Sequence, residues 1–310
     1  MLMLYPLITT IILFLSPERS QALNQTKNDH SSLGSNSAAV TYHGGRILTE
    51  PTGINVYIIW YGAFSIEDRT SIIDFFNSFT QKDHLKEPTV ATWWKTTASY
   101  KDKANKPVSR IVKLGKQTGD VYSVGKKLHR SDIAQIMNNQ ITKKKLPADR
   151  NGIYLVLTAK DVTVDKFCMN SCGFHSQNKR LVYAHVGYSS QCPGLCAWPY
   201  AVPAYAPPGK PPVAPNGVAA DGMIINIATV LAGAATNPFK NGYFQGDASA
   251  PLEAVSACPG TFGPGAHPGY PGRLLQDKKS KASYNAYGVN GRKYLLPAIW
   301  DISSSSCKVV

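Results

Sequence analysis

The side chains that could hold a metal ion are few in this sequence and do not form a known catalytic pattern. None of its seven histidines stands in the HExxH or HxxxH spacing that puts two ligands on one helix face. Metal hydrolysis needs three protein ligands, an open coordination position and a general base. His185 lies in a strand pattern and is expected in the core, whereas His175 and His267 lie in predicted loops that could converge. We predict no catalytic metal site.

Nucleophilic catalysis is not indicated either. The stretch from Gln191 to Trp198 has a glutamine, a cysteine and an aromatic residue in papain-type order, but the spacing is wrong and only His267 follows. A serine elbow of the G-x-S-x-G type is absent from the sequence. We predict a non-catalytic protein that needs no cofactor. The alternative is an extracellular hydrolase with an unrecognised metal or carboxylate site, since paired carboxylates are defined by their separation in space.

The six cysteines form two C-x3-C pairs followed by two single residues. An even number of cysteines in a secreted chain predicts disulfide bonds, but the sequence does not determine which cysteines pair. The alternative is a four-cysteine zinc site, which an oxidising compartment disfavours because the thiols would not stay free. The candidates for disulfide bonding are Cys168, Cys172, Cys192, Cys196, Cys258 and Cys307.

The N-terminal segment has the features of a secretory signal. Leu2–Leu15 is mostly apolar but too short for a typical membrane span, and small residues at positions 20 and 22 are those a signal peptidase recognises. We predict a signal peptide over residues 1–22, with a retained membrane anchor as the alternative. Residues 23–41 are polar and predict a flexible leader, in which Asn24 is a candidate for N-glycosylation. The mature protein is therefore expected in the extracellular space, free of the membrane.

Positive charge is concentrated in the middle of the chain. The formal net charge is +14, and Lys95–Lys145 carries 13 basic residues against three acidic ones. Such a field attracts polyanions. Outside the cell we expect acidic cell-wall polysaccharide, such as de-esterified pectin, and no nucleic-acid partner, because the sequence has no recognised nucleic-acid-binding motif. The alternative is a solvated basic surface without a specific ligand. The candidate polyanion-binding residues are Lys126, Lys127, Arg130, Lys143, Lys144 and Lys145.

Apolar periodicity predicts a single α+β domain. β-Branched and aromatic residues predict a buried strand at Ile54–Tyr61, and helical spacing predicts an amphipathic helix at Asp221–Thr236 with Asp221 as its N-cap. After Pro238 the chain is rich in Gly and Pro, which predicts a loop-rich C-terminal part tied by disulfides. The other predicted elements are helices at Ser65–Phe79, Val90–Thr97 and Ser131–Ile141, and strands at Val108–Leu114, Ile153–Thr158 and Leu181–Val186.

Aromatic residues are frequent in the Gly/Pro-rich half of the chain. Flat aromatic faces contact the apolar surfaces of sugar rings, so these residues could line a glycan-binding groove. The interpretation we favour is that they supply the core that a loop-rich sequence otherwise lacks. The residues are Trp198, Tyr200, Tyr205, Tyr243, Phe244, Tyr270, Tyr284, Tyr287 and Tyr294.

Five segments carry motifs long enough to be specific. They are WYGAF at Trp60–Phe64, QCPGLCAWPY at Gln191–Tyr200, VAPNGVAADGMIIN at Val213–Asn226, TNPFKNGYFQGD at Thr236–Asp247 and ASYNAYGVNGRKYLLPAIWD at Ala282–Asp301. Together they resemble the plant EXORDIUM family, also called phosphate-induced protein 1, over residues 42–310. The resemblance implies an EXORDIUM-like domain in an apoplastic protein that regulates growth and cell expansion, linked to brassinosteroid and nutrient status. A cell-surface receptor is a further possible partner.

The same resemblance bears on the predicted helix at Asp221–Thr236. More distant members of this superfamily carry the metal-binding motif HELAE followed by xxTDP at this position. Counted back from Pro238, the ligand histidine falls on Thr229, the next glutamate on Val230 and the second glutamate on Gly233. None of these three side chains can replace a lost zinc ligand. The resemblance thus implies a zincin-like domain with a degenerate metal helix, which is a pseudo-enzyme on a metalloprotease-like scaffold.

Overall fold

The computed structural model describes residues 39–80, 86–169, 171–203 and 210–310. The predicted signal peptide, most of the predicted leader and Asn24 lie outside the described residues. Val40 is buried in the core, and the short strand Thr41–Tyr42 pairs with Tyr243–Phe244. The packed chain therefore begins slightly before the predicted domain boundary at Tyr42.

A five-stranded mixed sheet organises the fold. Its strands are β1 (Ile54–Tyr61), β2 (Val112–Asp120), β3 (Ile153–Thr158), β4 (Gly173–Asn178) and β5 (Leu181–Val186). Their order is β2-β1-β3-β5-β4, and neighbours are parallel except for β4, which is antiparallel to β5 at one edge. β1, β3 and β5 are almost continuously apolar because both faces of the sheet are covered.

Four helices longer than one turn pack around this sheet in the described ranges. They are α1 (Ile66–Asn77), α2 (Val90–Thr97), α3 (Arg130–Thr142) and α4 (Val218–Thr236). Even-numbered residues of β1 share a core with α1, α2 and α4, whereas its odd-numbered residues share a second core with α3. Because successive strand side chains point to opposite faces, α3 lies across the sheet from the other three helices.

α4 is long and apolar enough to cross a membrane, and no other helix in the described part of the chain is. However, 78% of its apolar window is buried inside the protein. Met223, Ile227 and Leu231 of α4 lie in the core shared with β1. This burial is that of a core helix in a folded domain.

The part of the chain after α4 consists of loops and short strand pairs. These pairs use only two or three residues on each side, as expected for a Gly/Pro-rich sequence. The remaining short elements are the helix Pro193–Cys196, the 3₁₀ turns Ser189–Gln191 and Val289–Gly291, and the strand pairs Lys127–Leu128 with Thr163–Val164, Leu275–Gln276 with Ser283–Tyr284, Ala286–Tyr287 with Lys293–Tyr294, and Ile299–Asp301 with Ser306–Lys308.

Every cysteine in the described residues is paired, which confirms the predicted disulfide-linked α+β fold. Two bonds join the segment before β4 to the short helix that precedes α4, and the third ties the C-terminal strand pair to the loops after α4. These pairings leave no thiolate for a four-cysteine zinc site. The bonds are Cys168–Cys192, Cys172–Cys196 and Cys258–Cys307.

The starts of α4 and β2 differ from the sequence prediction by several residues, whereas α3 starts one residue earlier than predicted. α4 begins at Val218, and Asp221 is not its N-cap. Instead the buried Asp221 carboxylate accepts hydrogen bonds from the backbone N–H and side-chain amide of Asn216, at 2.7 and 2.8 Å. Burial raises the pKa of Asp221 to about 7. β2 runs over Val112–Asp120, so it starts and ends later than the predicted strand Val108–Leu114.

Candidate functional site

A polar cleft of about 550 Å³ lies beside α4. Thr229 and Val230 of α4 form part of its wall, and Gly173–His175 at the start of the edge strand β4 form another part. Residues between Ser249 and Ser256 line a third side. We call this cavity the α4 cleft. Two of the three positions at which the resemblance places lost metal ligands therefore border a cavity large enough for a small molecule.

The edge of the sheet and two disulfides position this cleft. Both β4 and its partner β5 pack against α4. The disulfide Cys172–Cys196 joins the residue before β4 to the short helix Pro193–Cys196, which also contacts α4. Cys172 itself borders the cleft. The start of β4 is therefore held beside α4 by packing and by a disulfide bond to the short helix that contacts α4.

Gly233, the third of these positions, lies against a buried, hydrogen-bonded pair of side chains. His175 Nε2 is 2.9 and 2.8 Å from the two carboxylate oxygens of Glu253. The two side chains are 8% and 15% exposed. A Cβ atom at position 233 would overlap Glu253 Oε2 and lie 3.0 Å from His175 Nε2. Glycine is the residue that leaves room for the His175–Glu253 pair, and a glutamate side chain at this position would not fit.

Glu253 is fixed from a second side by the residue that follows α4. Asn237 Nδ2 donates to Glu253 Oε1 at 2.7 Å, and Asn237 Oδ1 accepts from the backbone N–H of Gly242 at 2.8 Å. The backbone N–H of Glu253 donates to Ser256 Oγ at 2.7 Å. The carboxylate is thus well satisfied, whereas His175 Nδ1 is buried with no partner among the described residues.

The described residues contain no group of three or more His, Cys, Asp or Glu side chains placed to hold a metal ion. His175 lies on β4 rather than in the predicted loop, and it lines a different cavity from His267. His185 is buried as predicted, with Nε2 3.0 Å from Thr158 Oγ1, and burial lowers its pKa to about 3. The hydroxyl of Thr229 donates to the carbonyl of Ile225 at 2.9 Å, within α4.

Arg130 is one of three cationic side chains in the α4 cleft, together with Lys166 and Lys240. It is the first residue of α3, and its Cζ lies 4.2 Å from the centroid of the Phe174 ring. Its Nη2 donates to Ser171 Oγ at 3.4 Å. Burial lowers the pKa of Arg130, but a guanidinium remains charged at any physiological pH. The cleft therefore carries a fixed positive charge on the side facing β4.

The six candidate polyanion-binding residues fall into two groups at opposite ends of α3. The helix has 13 residues, which corresponds to a length of about 20 Å. Lys126 pairs with Asp161 at 2.6 Å, and Arg130 lines the α4 cleft, where no other candidate lies. The first group is Lys126, Lys127 and Arg130, and the second is Lys143, Lys144 and Lys145.

The aromatic residues of the Gly/Pro-rich half lie mainly in the core. Trp198 and Tyr270 are different, because they line a groove of about 1010 Å³ together with several prolines. Tyr205 lies outside the described residues. The interpretation as core residues thus holds for most of the set. The buried members are Tyr200, Tyr243, Phe244, Tyr284 and Tyr294.

Fold and cleft define a disulfide-linked α+β protein with a ligand-sized polar cavity at the edge of a mixed sheet. The family model described as the phosphate-induced protein 1 conserved region matches residues 40–310. The chain belongs to the phosphate-induced protein 1 family, which confirms the resemblance found in its motifs.

Curated relatives are similar over most of their length. Protein PHOSPHATE-INDUCED 1 of Nicotiana tabacum is 48% identical, over 87% of this chain and 87% of that protein. Protein EXORDIUM-like 2 of Arabidopsis thaliana is 48% identical, over 87% of this chain and 88% of that protein. Protein EXORDIUM of Arabidopsis thaliana is 43% identical, over 99% of this chain and 100% of that protein. No solved structure matches the chain.

Sequence reasoning missed Glu253 and Asn237. Glu253 follows α4 by 17 positions in a segment without periodicity, and it meets His175 only through the tertiary fold. β4 is also missed, because GFHSQN is polar and does not alternate. The one available signal was the C-x3-C pairs, whose disulfides bring the start of β4 to α4.

Proposed function

We propose that this chain is a secreted, non-catalytic protein of the plant apoplast that regulates growth and cell expansion and binds acidic cell-wall polysaccharide. The growth role, with its links to brassinosteroid and nutrient status, rests on kinship with the EXORDIUM family. The name of the tobacco relative, PHOSPHATE-INDUCED 1, refers to that protein's response to phosphate. Binding is argued from charge and geometry, and a cell-surface receptor is the other candidate partner.

The secreted location is supported by the N-terminal sequence and by three disulfide bonds. Disulfides persist in oxidising compartments and are rare in the cytosol. Secretion of the full chain, followed by N-terminal sequencing of the mature protein, tests this part. We expect the mature protein to start at Leu23, directly after Ala22.

The zincin-like scaffold with a degenerate metal helix is also part of the proposal. Its support is the order of elements, in which a strand and helices precede further strands and then the long helix α4. The three degenerate positions are consistent with a lost site, because Thr229 and Val230 border the cleft and Gly233 lies against the His175–Glu253 pair. A helix that once held a metal would place its ligands on such a face.

One observation carries the non-catalytic interpretation. The space that a glutamate ligand at position 233 would need is taken by Glu253 and His175, which bind each other. Cations line the cleft instead, with Arg130 on the β4 side and Lys166 and Lys240 elsewhere in the wall. Such a cavity is suited to holding an anion, and its described residues offer no arrangement for activating a water molecule through a metal.

Polygalacturonate binding at low and physiological salt tests the proposed ligand class. We expect salt-dependent binding that weakens when Lys126 and Lys127 are both changed to Glu, because these residues lie at the cleft end of α3. Changing Lys143, Lys144 and Lys145 to Glu is the matched variant at the other end and should weaken binding less. If the protein does not bind polygalacturonate at either low or physiological salt, the proposed ligand class is wrong.

The second candidate function is an extracellular hydrolase, and the His175–Glu253 pair is the observation that favours it. A histidine oriented by a carboxylate is a common general base. His175→Gln should abolish any hydrolytic activity towards wall polysaccharide or peptide if this alternative is correct. Hydrolytic activity that persists in the His175→Gln variant and is lost on addition of a chelator would indicate a metal site instead.

A further inference from the structure

The α4 cleft is lined by more cationic than anionic side chains. Arg130, Lys166 and Lys240 line it, and its one carboxylate, Glu253, is already hydrogen-bonded to His175. None of the three cations forms an ion pair with an acidic side chain in the ranges that the structure describes. An anionic ligand entering the cleft would therefore meet an attractive field, which Asp165 weakens at Arg130 from outside the cleft lining.

Arg130 is the most preorganised of these cations. Its guanidinium is held against the Phe174 ring, at 4.2 Å from the centroid. Its only side-chain hydrogen bond to a described residue is a long one, 3.4 Å to Ser171 Oγ, and its Nε is buried without a partner in the described ranges. A partly buried cation with so few acceptors costs folding free energy. An external carboxylate at its terminal nitrogens would reduce that cost.

The rest of the wall combines hydroxyl and amide groups with apolar surface. Hydroxyl and amide side chains come from the segment before β4, from α4 and from the loop after it, and the apolar surface comes from Phe174, Val230, Ala250 and Pro251. Thr229 donates within α4 but its oxygen can still accept. This mixture suits a sugar ring, which carries several hydroxyl groups and apolar C–H faces. The polar residues are Ser171, Asn226, Thr229, Ser249 and Ser256.

We propose that the α4 cleft is a binding site for a sugar acid, whose carboxylate is held by Arg130 and whose hydroxyl groups face the serine and threonine side chains. A planar guanidinium can form two parallel hydrogen bonds to a carboxylate, which an ammonium group cannot. This assignment rests on the proposed polysaccharide binding and deepens it. The polysaccharide binding would then depend on the α4 cleft, in which Arg130 binds a carboxylate, rather than on the net charge of the surface.

Calorimetric titration of the secreted full chain with trigalacturonate tests the assignment. We expect saturable binding at physiological salt, and a loss of about tenfold or more in Arg130→Gln, as for other charged hydrogen-bonded pairs. Arg130→Lys keeps the charge and should also lose most of the affinity. Arg110→Gln is the matched control, because Arg110 is exposed and lines a different cavity. Thermal unfolding of each variant checks that it is folded.

Control ligands test the contributions of the carboxylate charge and of the sugar ring separately. The methyl-esterified trisaccharide has the same ring and lacks the charge, so it should not bind. Acetate binding as tightly as trigalacturonate would overturn the assignment to a sugar acid. Equal losses in Arg130→Gln and Arg110→Gln would overturn the role of Arg130. If the trisaccharide fails to bind and polygalacturonate still binds, this inference is wrong and the proposed surface binding stands; if neither binds, both are wrong.

Discussion

Gly233 shows how one missing side chain shapes the wall of the α4 cleft. It leaves the space that the Glu253 carboxylate and His175 occupy. Asn237 then fixes the carboxylate from the end of the same helix. The resemblance implied a lost ligand at position 233, but the residue that fills the space could not be predicted. Glu253 reaches it through the fold and not through any spacing in the sequence.

Gly233→Ala should destabilise the protein although it lies in a helix. Alanine normally stabilises a helix interior by about 1 kcal/mol relative to glycine. Here the added methyl group would displace the Glu253 carboxylate from a buried pair, and overpacking of this kind costs about 1–3 kcal/mol. Urea unfolding measures the difference. Gly119→Ala is the control, because no atom lies within 4 Å of the place its methyl group would take; a Gly233→Ala variant as stable as wild type would contradict the account.

The bounds of helices and strands are predicted correctly where the apolar pattern of the sequence is strong. α2, β3 and β5 have the predicted bounds, because their apolar residues are dense and turn signals flank them. The side chain of Ser65 caps α1, accepting from the backbone N–H of Asp68 at 3.0 Å, as its sequence indicates. β4 could not be predicted, because an edge strand half exposed to solvent needs no apolar alternation. It is the strand that carries His175.

The N-terminal turn of α4 should make stability depend on pH. Burial raises the pKa of Asp221 to about 7 in the folded state, above its value of about 3.9 in an unfolded chain. The folded state therefore holds the proton more tightly, so this contribution to stability is full below about pH 4 and is lost as pH rises to about 7. Asp221→Asn should flatten the fall in unfolding free energy over that window.

The matched control for this substitution is Glu67→Gln, which removes an exposed carboxylate from the first turn of α1. We expect the fall in unfolding free energy over that window to persist in this variant, because Asp221 is still present. Unfolding free energies measured by urea at several pH values between about 4 and 8 give the comparison. A profile for Asp221→Asn as steep as that of the wild type would assign the pH dependence to other groups.

At the scale of the whole molecule, covalent links stabilise a chain whose last third is mostly loops. Cys258–Cys307 closes a loop of 49 residues around the C-terminal strand pairs. The cysteine count predicted disulfides, but the pairing needed the fold, because the paired cysteines are 24 or 49 residues apart in the sequence and meet only in the folded chain. The same holds for the basic residues: their number follows from sequence, and their division between two ends of α3 follows from structure.

Replacing both Cys258 and Cys307 by Ser should lower the free energy of unfolding by about 2–4 kcal/mol, because the unfolded chain regains the freedom of an open loop. Denaturant titration under non-reducing conditions measures the loss. The other two disulfides join segments before α4 and should remain intact. The segment Ser249–Ser256 of the α4 cleft ends two residues before Cys258, so ligand binding by the double variant should weaken as this wall loosens. A double variant with an unchanged unfolding midpoint would show that the C-terminal part is held by packing alone.

We propose that the α4 cleft binds its ligand without a metal, and elemental analysis of the secreted, untagged mature protein is the sharpest test of this proposal. We expect a well-folded protein with no metal present in a fixed ratio to the chain, and no change in structure or ligand binding with chelator. About one zinc or other metal ion per chain, removable by chelator with loss of structure or activity, would contradict it.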